Sequence, residues 1–243
     1  MSRSSLVDVV VLSPNHSGPR KHPIDTVTIH CMAGDLSAEG CGRLFQDPAR
    51  RASSNYGIGS DGRIGLYVEE ENRSWCSSSS ENDNRAVTIE VANTSIREPF
   101  PVSDAAYDAL IRLLADICRR NGIRALRWEG DPALIGQVER QNMTVHRWFA
   151  AKSCPGRWLY ERHGEIAAAV NRRLQGKEED MTREELTEIR GTGDHPSPWH
   201  RTACEWAKAQ GIFLGDGQGN YGWQQTVTRE QIAQAIYNLE HSV

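Results

Sequence analysis

No stretch of this sequence is apolar for long enough to span a bilayer. The most apolar run near the start, residues 6–12, is interrupted by Asp8 and followed by Ser13, Pro14 and Asn15. It is too short for a spanning helix and no small-residue cleavage pattern follows it, so neither a membrane anchor nor an export signal is read here. An excess of positive charge is also missing. The formal net charge is -4 over 243 residues, which gives no general reason to expect nucleic acid as a partner. The six cysteines (Cys31, Cys41, Cys76, Cys118, Cys154 and Cys204) include no CxxC pair, which argues against a finger-type zinc site or a thioredoxin-like motif. Without an export signal they read mostly as buried thiols, although their even number leaves disulfides open as an alternative. The expectation is a protein made in the cytoplasm and kept there unless something else releases it.

What is present fits a soluble globular chain, with a charged fraction of 25%. Its length suits one sizeable core plus a small second module. Residues 6–12 read as a first strand. In residues 25–30, Val27 and Ile29 alternate with Thr26, Thr28 and His30, the period of a half-buried strand that ends at His30 and turns it away from the apolar side. Residues 56–67 read as two strands around a Ser60-Asp61-Gly62 turn, because Asp-Gly supplies the backbone freedom of a tight hairpin. A further strand is read at 86–91.

From Ser103 the period changes. Tyr107, Leu110, Ile111, Leu114, Ile117 and Cys118 recur at helical spacing, with Ser103 or Asp104 placed to cap the start and Asn121-Gly122 to end it. A second amphipathic helix follows Pro155, carrying Leu159, Ile166, Ala167, Val170 and Leu174. Strands followed by helices predict an α/β domain over residues 1–175, with a mixed central β-sheet flanked by helices. Residues 175–180 are polar, charged and without periodicity, and a linker is read at 176–181. Residues 182–243 read as a small all-α module. Within it, the segment from Met181 resembles the segment from Val227, each opening a helix with a threonine cap and an acidic residue in the first turn.

Three side chains are candidate metal ligands: His30, His146 and Cys154. A catalytic zinc needs three nitrogen, sulfur or oxygen donors and one open position, and a His, His, Cys set satisfies this. Spacing alone is weak support, since a single histidine is more often a surface or core residue than a ligand.

The sequence resembles the zinc-dependent N-acetylmuramoyl-L-alanine amidases, a family that includes phage endolysins and the related peptidoglycan recognition proteins. The matching pieces, in order, are Thr28-Ile29-His30, Ser54-Asn55-Tyr56-Gly57, residues 86–91, and Thr144-Val145-His146 followed by Lys152-Ser153-Cys154-Pro155-Gly156. The resemblance covers roughly residues 6–174. It implies that His30, His146 and Cys154 bind zinc and that water completes the coordination. Zinc would lower the pKa of that water toward ~7 for attack on the amide carbonyl between N-acetylmuramic acid and L-alanine of peptidoglycan.

Lys152 matches the family's lysine and would stabilise the charge developing on the carbonyl oxygen, with a solvated surface lysine as the alternative. Glu90 shares a strand face with Thr88, opposite Val87, Ile89 and Val91, and is the candidate for proton transfer; a glutamate on a solvent-facing strand surface is the alternative. Tyr56 matches a tyrosine that some relatives use beside the zinc, with a packed or hydrogen-bonded strand tyrosine as the alternative. One departure stands out. Many such endolysins carry a Trp-His pair in the loop after the second hairpin strand, whereas this chain has Trp75-Cys76 followed by four serines.

The C-terminal segment resembles an S-layer homology motif in Pro198-Trp199, in the stretch from Ala203 to Gly211 and Ile212, in the Gly215-Asp216-Gly217 turn and in Thr228-Arg229-Glu230. That resemblance implies binding to a secondary cell-wall polymer. Repeats of this kind need neighbours to bury their faces, so a homo-oligomer formed through the tail is an open alternative. The overall expectation is a phage or prophage endolysin that reaches the wall after holin-dependent release or lysis. A non-catalytic peptidoglycan-binding protein on the same fold is the competing reading, and it is disfavoured by Cys154, which such relatives commonly lack.

Overall fold

The computed structural model describes residues 3–176, 201–213, 221, 233–234 and 236–237. The chain divides into two compact units, Met1–Lys177 and Glu178–Val243.

The first unit is built on a six-stranded sheet. Its strands are β1 (Val9–Val10), β3 (Thr26–Cys31), β4 (Tyr56–Ile58), β5 (Ile64–Leu66), β7 (Ala86–Val91) and β8 (Met143–Thr144), in the order β1-β5-β4-β7-β3-β8. All neighbours run parallel except the β4–β5 hairpin, so the sheet is mixed. Two further strands, β2 (His16–Ser17) and β6 (Arg73–Ser74), pair antiparallel beside it. The hairpin closes where the Gly59 N–H donates to the Arg63 carbonyl, and Gly62 takes φ +83°, the left-handed conformation an Asp-Gly turn requires.

Helices cover both faces. The apolar face of β3 and β7 (Val27, Ile29, Val87, Ile89, Val91) packs against α3 (Asp104–Arg120) and α4 (Gly156–Leu174), whose inward residues include Leu110, Leu114, Ile117, Leu159, Ile166 and Val170. Ser103 caps α3 by accepting from the Ala106 N–H. The other face carries α1 (Ala38–Phe45), where Cys41 and Phe45 pack on Tyr67, and α2 (Ser80–Arg85).

The strand at 25–30 was expected to be half-buried, yet all six residues of β3 are buried. Its polar side is covered by α2, and the hydroxyls are satisfied there. Thr28 and Thr144 share a hydrogen bond of 2.8 Å, and Asn82 donates to Thr28 and accepts from Thr144. A parallel strand enclosed on both faces needs such partners because no water reaches it. The first strand is also shorter than read, with Val9–Val10 alone pairing at the sheet edge.

In the second unit, α5 (Arg201–Ala209) ends at Gly211, which takes φ +68°. The segment from Met181, Thr228-Arg229-Glu230, Pro198-Trp199 and the Gly215-Asp216-Gly217 turn lie outside the described residues, as does most of the expected linker.

Candidate active site

Parallel α/β sheets present ligands at the carboxyl ends of their strands, and this sheet does so three times in neighbouring strands. His30 is the penultimate residue of β3, Glu90 the penultimate residue of β7, and His146 follows two residues after β8. The register pairs His30 with Glu90, so both leave the sheet on the polar face. Cys154 arrives from the loop before α4. Its Sγ lies 3.4 Å from His30 Nδ1 and accepts from the Cys31 N–H at 3.4 Å.

The ligand atoms of His30, His146 and Cys154 all fall within 4.8 Å of one another. The two imidazoles lie 5.1 Å apart between ring centres, and Ser78 Oγ holds His146 Nε2 at 3.0 Å. His146 and Cys154 border a cleft of about 340 Å³ that Glu90, Lys152, Arg50, Trp75, Cys76 and Phe45 also line.

The electrostatics suit a cation. Burial, with His146 beside it, lowers His30 to about 3, so its ring is a neutral lone-pair donor near neutral pH. Burial and the Lys152 ammonium lower His146 in the same sense. Hydrogen bonding with Cys31 and burial push the Cys154 thiol up, so a thiolate at this position calls for a positive charge next to it. Two neutral imidazoles and one such sulfur form a donor set that fits zinc. His30 Nε2 and Glu90 Oε2 are buried without a hydrogen-bond partner in the protein, and buried polar atoms are seldom left so.

Residues 20–157, more than half of the chain, match the N-acetylmuramoyl-L-alanine amidase family, Amidase_2. The chain belongs to this family. Among solved structures it is similar to PlyL (TM-score 0.50, 14% identity, covering 68% of this chain and 96% of that one). It is also similar to AmpD, solved as a selenomethionine derivative (TM-score 0.50, 20% identity, 71% and 96%), and to the catalytic domain of XlyA (TM-score 0.50, 16% identity, 68% and 99%). At these identities the likeness shows the fold. No curated protein matches the chain.

In this amidase domain the six residues singled out from the sequence separate into two groups. His146, Cys154, Glu90 and Lys152 line one cleft, and the buried His30 joins them through its grouping with His146 and Cys154. Tyr56 does not join them. It pairs with Ile89, the residue before Glu90, and therefore points to the opposite, apolar face. There it is fully buried, donates to Glu70 Oε1 at 2.6 Å and accepts from the Ser4 N–H. Arg120 and Asn121 complete the same Glu70 cluster. The expectation that Tyr56 stands beside the metal is corrected by the pleat of β4.

Glu90 is half-buried rather than displayed on a solvated surface, and burial together with the Cys31 thiol raises its carboxyl well above the usual carboxylate range while Arg50 opposes the rise. Lys152 is exposed at the rim.

The sequence reading missed Arg50, and it left the role of Trp75-Cys76 open. Arg50 ends a short 3-10 turn (Pro48–Arg50), and its guanidinium lies 5.7 Å from the Phe45 ring centre. Cys76 Sγ stands 3.9 Å from Glu90 Oε1. The departure from the family's Trp-His pair had marked this loop, but no sequence signal pointed to Arg50. All six cysteines are free, and Cys31, Cys41 and Cys118 are buried.

Proposed function

We propose that the protein is a zinc-dependent peptidoglycan hydrolase that cleaves the amide bond between N-acetylmuramic acid and the first L-alanine of the stem peptide. The observation that carries this reading is the convergence of His30, His146 and Cys154 at a cleft shared with Glu90 and Lys152, in a chain of the amidase family.

The bound zinc supplies Lewis-acid polarisation and an acidified water. The chain's own residues do the rest. His30 and His146 are kept neutral by burial and so remain donors, and the Cys31 N–H steadies the Cys154 sulfur. Glu90, which lines the cleft beside Cys154 and His146 and whose carboxyl is raised by burial, accepts the proton of the attacking water and returns it to the leaving amine. Lys152 at the rim places an ammonium where negative charge develops on the carbonyl oxygen.

The second unit serves as the recruiting or self-associating part. Trp206 is 53% exposed on α5, a large apolar side chain available to a wall polymer or to a second copy. We assign the protein to cytoplasmic synthesis with action on the wall after release, as a phage or prophage endolysin; no helix of the described residues is long and apolar enough to cross a membrane.

The test is digestion of purified peptidoglycan by the zinc-loaded chain, with mass analysis of the ends released. New lactyl carboxyls on muramic acid and new L-alanine amines identify the bond. Binding without release of these ends would return the protein to the non-catalytic recognition reading.

A further inference from the structure

We propose that the cleft holds a second metal position, formed by His30, Cys76 and Glu90, which takes up a zinc ion beyond the first equivalent and withdraws Glu90 from proton transfer. The ligand atoms of these three residues also lie within 4.8 Å of one another, a grouping separate from that of His146 and Cys154 except for the shared His30.

Three observations support the position. The first is unmet bonding capacity. His30 is fully buried, and its Nδ1 is the nitrogen that faces Cys154 Sγ, so Nε2 is the one left without a partner; Glu90 Oε2 is left likewise. Two orphaned polar atoms on directly paired residues need a shared partner, and a cation satisfies both at once.

The second is preorganisation. The Asp83 carboxylate accepts from the N–H of Cys76 at 3.0 Å and from that of Ser77 at 3.1 Å, which pins the loop and presents the thiol 3.9 Å from Glu90 Oε1. Asp83 is itself 2% exposed, so this support is rigid.

The third is donor chemistry. One imidazole nitrogen, one sulfur and one carboxylate oxygen match zinc and cobalt(II) and suit calcium or magnesium poorly, and the cleft leaves a further position open. Uptake is balanced by release to solvent of the Cys76 thiol proton, the remaining His30 ring proton and any proton on the Glu90 carboxyl, leaving the imidazole shared through its two nitrogens.

A carboxylate engaged with this second ion no longer exchanges a proton with substrate, so zinc activates at one equivalent and inhibits at two. This consequence for turnover rests on the amidase reading and on the role given to Glu90; the metal stoichiometry does not.

The experiment uses the full chain stripped of metal and titrated with zinc, with metal per chain measured after free ion is removed, and with cobalt(II) in parallel. We expect wild type to bind two equivalents, the second adding a second thiolate-to-cobalt absorption to that of Cys154. Cys76→Ala should stop at one equivalent with one such absorption, and its activation by the first ion should persist without inhibition by more. Glu90→Gln, which keeps the shape of the side chain, should bind the second ion more weakly while keeping the first, and it serves if Cys76→Ala does not fold. Wild type saturating at one equivalent, or Cys76→Ala binding two, would overturn the proposal. So would loss of the first ion from Cys76→Ala, which would place Cys76 in the first site. A chain that binds two ions but never cleaves peptidoglycan would sink the amidase reading and leave the second position standing.

Discussion

His30 and Glu90 are direct partners in the parallel register of β3 and β7, so an imidazole and a carboxyl leave the sheet on the same face one strand apart. Neither position is free to move, because both strands are paired on both sides in the middle of the sheet. A candidate metal-ligating imidazole and the carboxyl proposed for proton transfer are thus fixed by backbone hydrogen bonds rather than by flexible loops.

Glu90→Gln should keep the first zinc and the fold but lower turnover at one zinc per chain by ~10²-fold or more, the usual scale of general acid–base assistance. The amide preserves shape while losing the proton-accepting role. Turnover at the wild-type rate, measured with soluble muropeptide on zinc-loaded protein, would remove Glu90 from the reaction.

Cys154→Ser should bind zinc far more weakly and lose amidase activity, because a serine hydroxyl remains protonated near neutral pH and is a poor ligand. Peptidoglycan binding should survive, since the other cleft side chains are unchanged. Elemental analysis and turnover on the same sample check this, and one zinc per chain with full activity would show that the ligand assignment is wrong.

Tyr56→Phe should leave kcat and KM unaltered and reduce stability instead. The hydroxyl bonds the buried Glu70 carboxylate on the face away from the cleft, and loss of a hydrogen bond to a charged group costs ~1.5 to 3 kcal/mol. Denaturant midpoints and steady-state kinetics on one preparation separate the two effects; a large fall in kcat with unchanged stability would bring Tyr56 back to the site.

The fold should weaken in acid partly through His163. Burial lowers its folded-state value to about 4, against an ordinary value of 6.5, so between these pH values the unfolded chain binds the extra proton and the folded chain does not. Unfolding free energy therefore falls as pH drops through this window, with no contribution to the slope above it. Urea unfolding from pH 7 to pH 4 should show this slope, and His163→Gln should flatten it; an unchanged slope in that variant would refute the assignment.

A chain ending at Gln175 should fold and cleave soluble muropeptides, because the sheet, its helices and the cleft all lie within the first compact unit. Its lysis of whole cells should fall if residues 182–243 recruit the enzyme to the wall, by loss of effective concentration. Equal lysis by both forms across salt and dilution would remove recruitment, and a smaller oligomer by light scattering would support self-association.

The sequence by itself determined the periodic parts of this protein. The alternation of Val27 and Ile29, the Asp61-Gly62 turn and the helical spacing from Tyr107 to Cys118 each follow from local sterics and side-chain burial, and the α/β class follows from their order. That His30, His146 and Cys154 come together was legible through motif order, although their grouping within 4.8 Å is a tertiary fact. Tyr56 was misplaced for a physical reason: a side chain's face in a sheet depends on the register with the next strand, and pairing with Ile89 rather than Glu90 turns it to the core. Arg50 and Cys76 reach the cleft only through tertiary packing. They sit on connections between elements, and the Trp75-Cys76 loop is held by Asp83 accepting from the Cys76 N–H and by the more distant Ser53 Oγ accepting from the Trp75 N–H, contacts that no periodic pattern encodes.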